Sequence, residues 1–274
     1  MRTLHTAACA MLDALVLPPA QRPLVGALAS RELASRYRGS GLGWLWPWFT
    51  PMLVLGVFTF VFSTVLEVRF PRDGSTPIHP AILLFSGLCL AGFLGETLAR
   101  SPQTVTSQPN YVKKIVFPLE ALTLVDVRVA LIHLGASMAL LLAALVATSG
   151  ALPSWFAIPL VILPLAAMAT GFAWWLSALG VYFRDIAQLT PPAVTALTFL
   201  SPILYPRASV PENVRDWLLL NPLTVPVEQL RGALFDGHWP QWDILAAYSV
   251  VAILVYGSGL AVFRRLKKGF ADVL

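Results

Sequence analysis

Charged residues are scarce in this chain. Only 12% of its 274 residues are Asp, Glu, Lys or Arg, whereas 57% are hydrophobic and the mean hydropathy is +0.72. A soluble globular domain has about 25% charged residues, so the composition excludes an ordinary soluble domain. It is typical of an integral membrane protein, and the length suits an all-α polytopic fold of several spanning helices.

Cysteine and metal-ligand patterns are nearly missing as well. The two cysteines, Cys9 and Cys89, have no CxxC spacing, and the four histidines are scattered. We therefore expect neither a disulfide nor a metal site. The net charge of +5 does not indicate nucleic-acid binding, because the basic residues lie at the ends of apolar runs rather than on one face.

The chain also lacks a nucleotide-binding loop. The glycine cluster from Gly39 to Gly43 has no lysine of the GxxxxGK[ST] pattern, and no other segment has that pattern. If ATP drives this protein, another subunit binds it. A membrane-embedded glycosyltransferase or polymerase needs paired carboxylates, and a secondary transporter normally shows inverted repeats. The sequence shows neither.

Six apolar runs are long enough to cross a bilayer, which takes about 20 residues. Prolines at 191, 192 and 202 interrupt the fifth run, since proline removes a backbone donor. We assign residues 1–42 to cytoplasmic or interfacial helices and residues 43–274 to a transmembrane domain. The predicted spans are 43–66, 80–98, 119–148, 155–181, 186–205 and 244–263.

Charge distribution predicts the orientation. With a cytoplasmic N-terminus, the inner segments hold 13 of the 19 basic residues and the outer loops hold five. The positive-inside rule favours this arrangement, with both termini cytoplasmic. A signal peptide beginning at Arg2 and cleaved near Ala29 is the alternative, but Asp13 and Pro18 break its apolar core. Residues 4–17 are better interpreted as an amphipathic stretch on the inner leaflet.

Residues 31–46 form the first motif. Glu32 and Arg36 are four apart, a spacing that stabilises a helix. We expect this helix to lie along the membrane, to end at the glycines, and to place Trp44, Trp46 and Trp48 at the inner interface. The alternative is an aromatic belt with basic anchors.

Residues 110–120 form the second motif, with two adjacent lysines between two apolar runs. Pro118 is suited to start the next helix, since proline is favoured in a first turn. This segment is either a docking handle for a cytoplasmic partner or a topology anchor. On the outer side, residues 212–219 and 226–235 predict two short helices that either lie in the membrane interface or dip back into the membrane.

Together these patterns resemble the membrane subunit of bacterial polysaccharide-exporting ABC transporters. This is the ABC-2 type permease family, which includes O-antigen, teichoic-acid and capsule exporters. The resemblance covers about residues 28–265. The matching residues are, in chain order, Arg31-Glu32 with Arg36-Tyr37-Arg38, Gly43-Trp44-Leu45-Trp46, Val112-Lys113-Lys114 with Phe117-Pro118-Leu119-Glu120, Arg184-Asp185-Ile186, Ser201-Pro202 with Tyr205-Pro206, and Asn221-Pro222-Leu223.

The resemblance implies two copies of this chain in the bacterial inner membrane, paired with two ATP-binding-cassette subunits that bind ATP and Mg. The assembly would move a lipid-linked polysaccharide past membrane lipid. Residues 28–40 would be a gate helix that includes Arg31, Glu32, Arg36, Tyr37 and Arg38. The ATPase-coupling residues would be Asn110, Tyr111, Lys113, Lys114, Phe117 and Pro118. A membrane glycosyltransferase or polymerase and a small-molecule efflux permease are the alternative functions.

Aromatic residues are candidates for lining a sugar channel, because sugar rings have apolar faces and polar rims. Weak, repeated contacts would let the polymer slide. The alternative for each residue is core packing or lipid contact. The candidates are Trp46, Phe49, Phe58, Phe60, Phe199 and Tyr205.

Arg128 is a charge inside a predicted span. It follows Pro118 by ten residues, about 15 Å along a helix. Ionised residues at that depth usually face the bundle interior, so we expect Arg128 to pair within the subunit or to line the channel. Asp126 lies on the opposite helix face, and Glu96 and His133 are candidate partners.

Overall fold

The computed structural model describes residues 22–65, 79–113, 117–148, 150–205 and 207–274. Every regular element in these ranges is helical, which confirms the all-α fold. The helices are α1 Arg22–Arg36, α2 Trp46–Thr59, α3 Pro80–Thr104, α4 Pro109–Lys113, α5 Glu120–Thr148, α6 Ile158–Tyr182, α7 Ile186–Phe199, α8 Glu212–Arg215, α9 Thr224–Phe235, α10 Trp242–Leu266 and α11 Phe270–Val273.

Four helices in the described ranges are long and apolar enough to cross a membrane: α3, α5, α6 with its preceding turn, and α10 with its continuation to Val273. They correspond to the second, third, fourth and sixth predicted spans. The first predicted span is the apolar helix α2 followed by the π-helical segment Phe60–Val65. The fifth is α7, which has 14 residues, continues through Pro191 and Pro192, and ends at Phe199 before Pro202.

The N-terminal helix begins earlier than the sequence patterns predict. The expected helix covers residues 28–40, whereas α1 runs from Arg22 to Arg36. Pro23 lies in its first turn, where proline is tolerated. Beyond its end, Gly39 has a φ of +83°, a backbone conformation that favours glycine. The predicted amphipathic stretch at residues 4–17 lies outside the described residues.

Small residues allow the closest helix crossing. Gly171 of α6 and Gly259 of α10 face each other, and a Cβ added at Gly171 would lie 2.5 Å from the carbonyl oxygen of Val255. Glycine at such a crossing lets two helix backbones approach, a common feature of membrane helices. A second close approach places Gly180 of α6 against the backbone of Pro102 in α3.

The described helices pack around three hydrophobic clusters. The largest lies between α3, α5, α6 and α9. A second one joins α1, the start of α5, the ends of α6 and α10, and α11. The smallest lies where α6, α9 and α10 meet and consists of Met168, Val225, Tyr248 and Ala252. The second cluster therefore holds together the segments that the sequence predicts as gate and coupling elements.

Candidate functional site: a charged cluster between three helices

Eight polar residues converge where α1 crosses α3 and α5. We call them the Arg36 cluster. Its members come from the end of α1, the second half of α3 and the first half of α5. They are Glu32, Arg36, Tyr37, Glu96, Arg100, Thr104, Asp126 and His133.

Helical spacing explains why these side chains meet. Glu96, Arg100 and Thr104 follow one another at intervals of four along α3, so they lie on one face. On α5, Asp126 and His133 are seven residues apart and share a face for the same reason. The cluster therefore forms where these two polar stripes face the end of α1.

Arg36 contacts both membrane helices. Its Nε donates to Glu32 Oε1 at 3.2 Å, and its Nη1 donates to Glu96 Oε1 at 2.7 Å. Its Nη2 lies 3.9 Å from Asp126 Oδ1. One guanidinium group thus links α1 to α3 and α5. Arginine can do this because its guanidinium group holds several N–H donors in a fixed planar arrangement.

Arg100 makes the complementary bridge. Its Nη2 donates to Glu32 Oε1 at 2.8 Å, and its Nε lies 3.3 Å from Asp126 Oδ1. The Thr104 hydroxyl donates to the other Asp126 oxygen at 2.6 Å. Two guanidinium groups therefore alternate with three carboxylates, so that each carboxylate lies beside at least one positive charge.

A chain of hydrogen bonds extends from the cluster through His133. Its Nδ1 lies 2.7 Å from Glu96 Oε2, and its Nε2 lies 3.0 Å from the Tyr37 hydroxyl. An ionised carboxylate only accepts, so Nδ1 carries a proton; in neutral His133, Nε2 accepts from Tyr37. Burial raises the pKa of the Tyr37 phenol above its ordinary value, so the hydroxyl keeps the proton that it donates.

Partial burial makes this cluster stronger than a surface ion pair. The Arg36, Glu96 and Asp126 side chains are only 17%, 23% and 10% exposed. Exposed pairs contribute about 0–1 kcal/mol. Removing one partner here instead leaves a poorly hydrated charge, a loss of several kcal/mol when burial is complete. The cluster therefore holds α1 against α3 and α5.

A cavity that we call the Tyr111 cavity lies between the Arg36 cluster and α4. It has a volume of about 550 Å³ and lies between α1, α3, α4 and α5. Glu32, Arg100 and Asp126 line one part of it, and Tyr111 lines another. The Tyr111 ring also packs on Phe117, with a centroid distance of 4.7 Å. Tyr111 of α4 therefore borders the same cavity as Glu32, Arg100 and Asp126 of the Arg36 cluster.

The C-terminal segment anchors the start of α5. Lys267 Nζ donates to Glu120 Oε2 at 2.9 Å, and Arg264 Nε lies 3.7 Å from Glu120 Oε1. Phe270 is fully buried, and its ring contacts Phe263 and Tyr182. Glu120 lies two residues beyond Pro118, so these C-terminal contacts hold the chain just after the predicted coupling segment.

Comparison with known proteins assigns this arrangement to a family. The sequence model of ABC-2 type transporters matches residues 23–235, a range that includes α1 to α9 and the whole Arg36 cluster. The chain belongs to the ABC-2 type transporter family. It is similar to the O-antigen export system permease protein RfbA of Myxococcus xanthus, with 26% identity over 92% of this chain and 95% of that protein.

Two further relatives of the ABC-2 chain have similar lengths. The O-antigen export system permease protein RfbA of Klebsiella pneumoniae is 24% identical over 92% of this chain and 95% of its own length. The polysialic acid transport protein KpsM of Escherichia coli is 24% identical over 89% of this chain and 93% of its own length. The resemblance to polysaccharide-exporter permeases is therefore confirmed, and these relatives match nearly end to end.

The predicted gate residues of the ABC-2 chain fall into two groups. Glu32, Arg36 and Tyr37 belong to the Arg36 cluster, whereas Arg31 and Arg38 are exposed. From the sequence, Glu96 and His133 are expected only as partners of Arg128, and Arg100 and Thr104 are not among the predicted site residues. The four-residue spacing of polar side chains on α3 is the signal that would have identified them.

The predicted coupling residues that the structure describes lie on the short helix α4 and at residues 117 and 118. Asn110 is exposed at the start of α4, and Tyr111, Phe117 and Pro118 are half-buried. Lys113 is the last residue of α4, but its side chain, like residue 114 as a whole, lies outside the described part of the chain.

The predicted channel aromatics are distributed over two helices and the break after α7. Trp46 packs edge-on against Phe49 near the start of α2, and Phe58 stacks on Phe62 near its end. Phe60 lies 14 residues beyond Trp46, about 21 Å along the helix. Phe199 is exposed at the end of α7, and Tyr205 lies in the break after it. Among the described contacts of these six candidates, the ring contacts thus join only neighbours along α2 and the π-helical segment that follows it.

The Arg128 guanidinium group lies beside Gly26 of α1. A Cβ placed on Gly26 would be 3.2 Å from the Arg128 Nη1 atom, so glycine at this position makes room for the guanidinium group. Its candidate partners Glu96 and His133 contact Arg36 and Tyr37 at hydrogen-bonding distance. This placement is compatible with pairing of Arg128 within the subunit, which stays a prediction.

Proposed function

We propose that this chain is the membrane-spanning subunit of an ATP-driven exporter that moves a lipid-linked polysaccharide across the bacterial inner membrane. The observation that carries the proposal is the nearly end-to-end similarity to O-antigen export permeases and to a polysialic acid transport protein. Small-molecule efflux would not account for two kinds of carbohydrate polymer among these relatives.

The proposed topology has six crossings with both termini cytoplasmic. Residues Trp46 to Val65 form 20 helical residues, about 30 Å, which is the thickness of the hydrocarbon core. The 14 residues of α7 reach about 21 Å, and the irregular segment up to Tyr205 completes the fifth crossing. Side chains support that segment, because Arg231 donates to the carbonyls of Pro202 and Ile203.

The energy source in this proposal is a separate subunit. The sequence has no GxxxxGK[ST] loop, so ATP and Mg bind to the partner. Two copies of this chain pair with two ATP-binding-cassette subunits, and the segment 110–118 docks on them. The exposed position of Asn110 and the half-buried Tyr111 support this role, since one side of α4 faces outward while the other packs on the bundle.

In this mechanism α1 is the gate helix. Docking movements at α4 reach the Tyr111 cavity and then Glu32 and Arg100, which line it and are ion-paired with each other. Positive and negative side chains alternate in the Arg36 cluster. A small shift of α1 would therefore move each arginine from one carboxylate to the next and leave no charge unpaired. We expect α1 to move between two such sets of ion pairs as the polymer is admitted, and exposed aromatics such as Phe49 and Phe60 to line the path.

Transport by the reconstituted complex tests this proposal. The chain is purified with its ATP-binding-cassette subunit and inserted into vesicles that contain lipid-linked polysaccharide. The expected result is ATP-dependent appearance of polymer in the opposite compartment, together with stimulation of ATP hydrolysis by the polymer. ATP-dependent loss of small hydrophobic dyes with no polymer movement would instead identify an efflux permease.

A further inference from the structure

The segment 267–274 follows α10 and packs against the predicted coupling helix. It consists of the turn Lys267–Gly269 and the helix α11, Phe270–Val273. α11 contacts both α4 and α6. The Leu274 side chain packs on the same hydrophobic cluster as Tyr111 of α4. The segment therefore lies between α4 and the ends of two long helices.

Tyr182 holds the turn in this segment close to the end of α6. The Tyr182 hydroxyl donates to the carbonyl of Leu266 at 2.9 Å. A Cβ added at Gly269 would lie 2.5 Å from the same hydroxyl oxygen. The φ of Gly269 is −98°, which other residues also adopt, so the close approach rather than the backbone conformation requires glycine here.

Phe270 anchors α11 in the bundle. Its side chain is 0% exposed, and its ring centroid lies 6.0 Å from that of Tyr182 and 5.6 Å from that of Phe263. Residues 271–273 are exposed. Isolated helices shorter than about 12 residues are marginally stable in water, and α11 has only four. Its position therefore depends on the burial of this ring.

The ion pair of Lys267 places the other end of the segment at Glu120. The two charged groups lie 2.9 Å apart across 147 positions of sequence. The Glu120 side chain is only 11% exposed, and Glu120 follows the predicted coupling residues Phe117 and Pro118 closely. The segment thus contacts the chain on both sides of these residues, through α11 at α4 and through Lys267 at the start of α5.

We propose that Phe270 and Lys267 are positioning residues, which hold the coupling segment 110–118 in the orientation that transmits movement from the ATP-binding-cassette subunit to α5 and α6. The inference rests on the proposed function and assigns the segment 267–274 a role that the proposed function leaves open. When these contacts are lost, α4 still binds the partner subunit, but its displacement is no longer passed on in full. ATP is then hydrolysed without a matching export of polymer.

The amount of polymer exported for each ATP hydrolysed, measured on the reconstituted complex, tests this role. Phe270→Ala removes the ring, whereas Phe270→Leu keeps an apolar side chain. We expect the ratio to fall at least about fivefold in Phe270→Ala, because the coupled position of α4 becomes a minor fraction of the population. Leu245→Ala is the matched control for stability, since Leu245 is buried at the opposite end of α10. Leu245→Ala and Phe270→Leu should keep the ratio near that of the wild type.

Lys267→Met provides a second test that leaves the hydrophobic cluster intact. It removes the ion pair with Glu120, and Lys267→Arg retains the charge. We expect Lys267→Met to lower the same ratio and Lys267→Arg to restore it. If Phe270→Ala does not fold, this pair of variants decides.

Two results would overturn the positioning role. One is a lower melting temperature with an unchanged ratio in Phe270→Ala and Lys267→Met. The other is an equal fall of the ratio in Leu245→Ala, which would mean that any loss of stability has this effect. Normal export by the wild type and by both positioning variants refutes only this inference. Absence of ATP-dependent export by the wild type refutes the function on which it rests.

Discussion

Arg36 Nη1 and Glu96 Oε1 lie 2.7 Å apart, which joins the N-terminal helix to α3 across 60 positions of sequence. Both side chains are mostly screened from solvent, and neither lies beside its partner along the chain. The position of α1 on the bundle therefore depends on a charge pair whose members are separated by the whole of α2.

Loss of this pair is expected to loosen α1. Arg36→Met leaves Glu32 and Glu96 with one positive neighbour fewer, so we expect a loss of about 1–3 kcal/mol in stability and a marked decrease in export. Thermal unfolding of the purified complex measures the first effect, and vesicle transport measures the second. Arg31→Met is the matched control, since Arg31 is exposed on the same helix. Equal destabilisation by both variants would contradict the prediction.

We expect a double-mutant cycle to detect the Tyr37–His133 hydrogen bond as a coupling free energy between the two residues. Tyr37→Phe and His133→Ala each remove the hydrogen bond, which contributes about 0.5–1.5 kcal/mol. The double variant should be less destabilised than the sum of the single ones by about that amount. Strict additivity in unfolding experiments would mean that the two groups do not interact. Phenylalanine keeps the ring, so packing changes little in the first variant.

A side chain placed at the crossing of α6 and α10 is expected to destabilise the protein. A Cβ at Gly259 would overlap the backbone of Gly171, so Gly259→Val forces the helices apart. We expect a loss of at least about 1–3 kcal/mol and poor accumulation in the membrane. Gly257→Ala, two residues earlier on an open face, should be neutral or up to about 1 kcal/mol more stable. The amount of folded protein after detergent extraction distinguishes the two variants.

Replacement of Arg231 by lysine is expected to destabilise the segment after α7. Its guanidinium group donates to the carbonyls of Pro202, Ile203 and Leu83. A single ammonium group does not reproduce this fork, so Arg231→Lys should expose the break after α7. Protease or thiol-reagent accessibility near residue 204 should rise severalfold. Arg207→Lys is the control, because Arg207 makes one ion pair, with Glu228 at 3.4 Å. An unchanged cleavage pattern in Arg231→Lys would refute the idea.

Charge reversal in the coupling segment is expected to separate ATP hydrolysis from export. Replacing Lys113 and Lys114 with Glu should leave the chain in the membrane but abolish its association with the ATP-binding subunit. Pull-down and transport measure the two effects. Lys268→Glu is the control, since Lys268 is an exposed lysine outside the segment. Full export by the double variant would contradict the docking role.

Several features were predictable because they depend on local pattern. Runs of apolar residues located four long helices, and the short outer helices appear as α8 with the turn after it and as α9. The tolerance of Pro191 and Pro192 within α7 was not predicted. Neighbouring helices can compensate for the backbone donors that prolines lack, and sequence alone does not show those neighbours.

The sequence by itself determined the class of protein, the positions of most apolar helices and the family, because hydrophobicity and motif order are properties of the chain. Only the tertiary structure decided which charges meet. In the sequence, Glu96, Arg100, Asp126 and His133 look like isolated polar residues in apolar helices. In the fold, Arg100 pairs with Asp126 and His133 with Glu96 across α3 and α5, and α1 adds Glu32 and Arg36. A charge in a membrane helix is stabilised by a partner in space, and here that partner lies on a different helix, at a distance that local spacing does not encode.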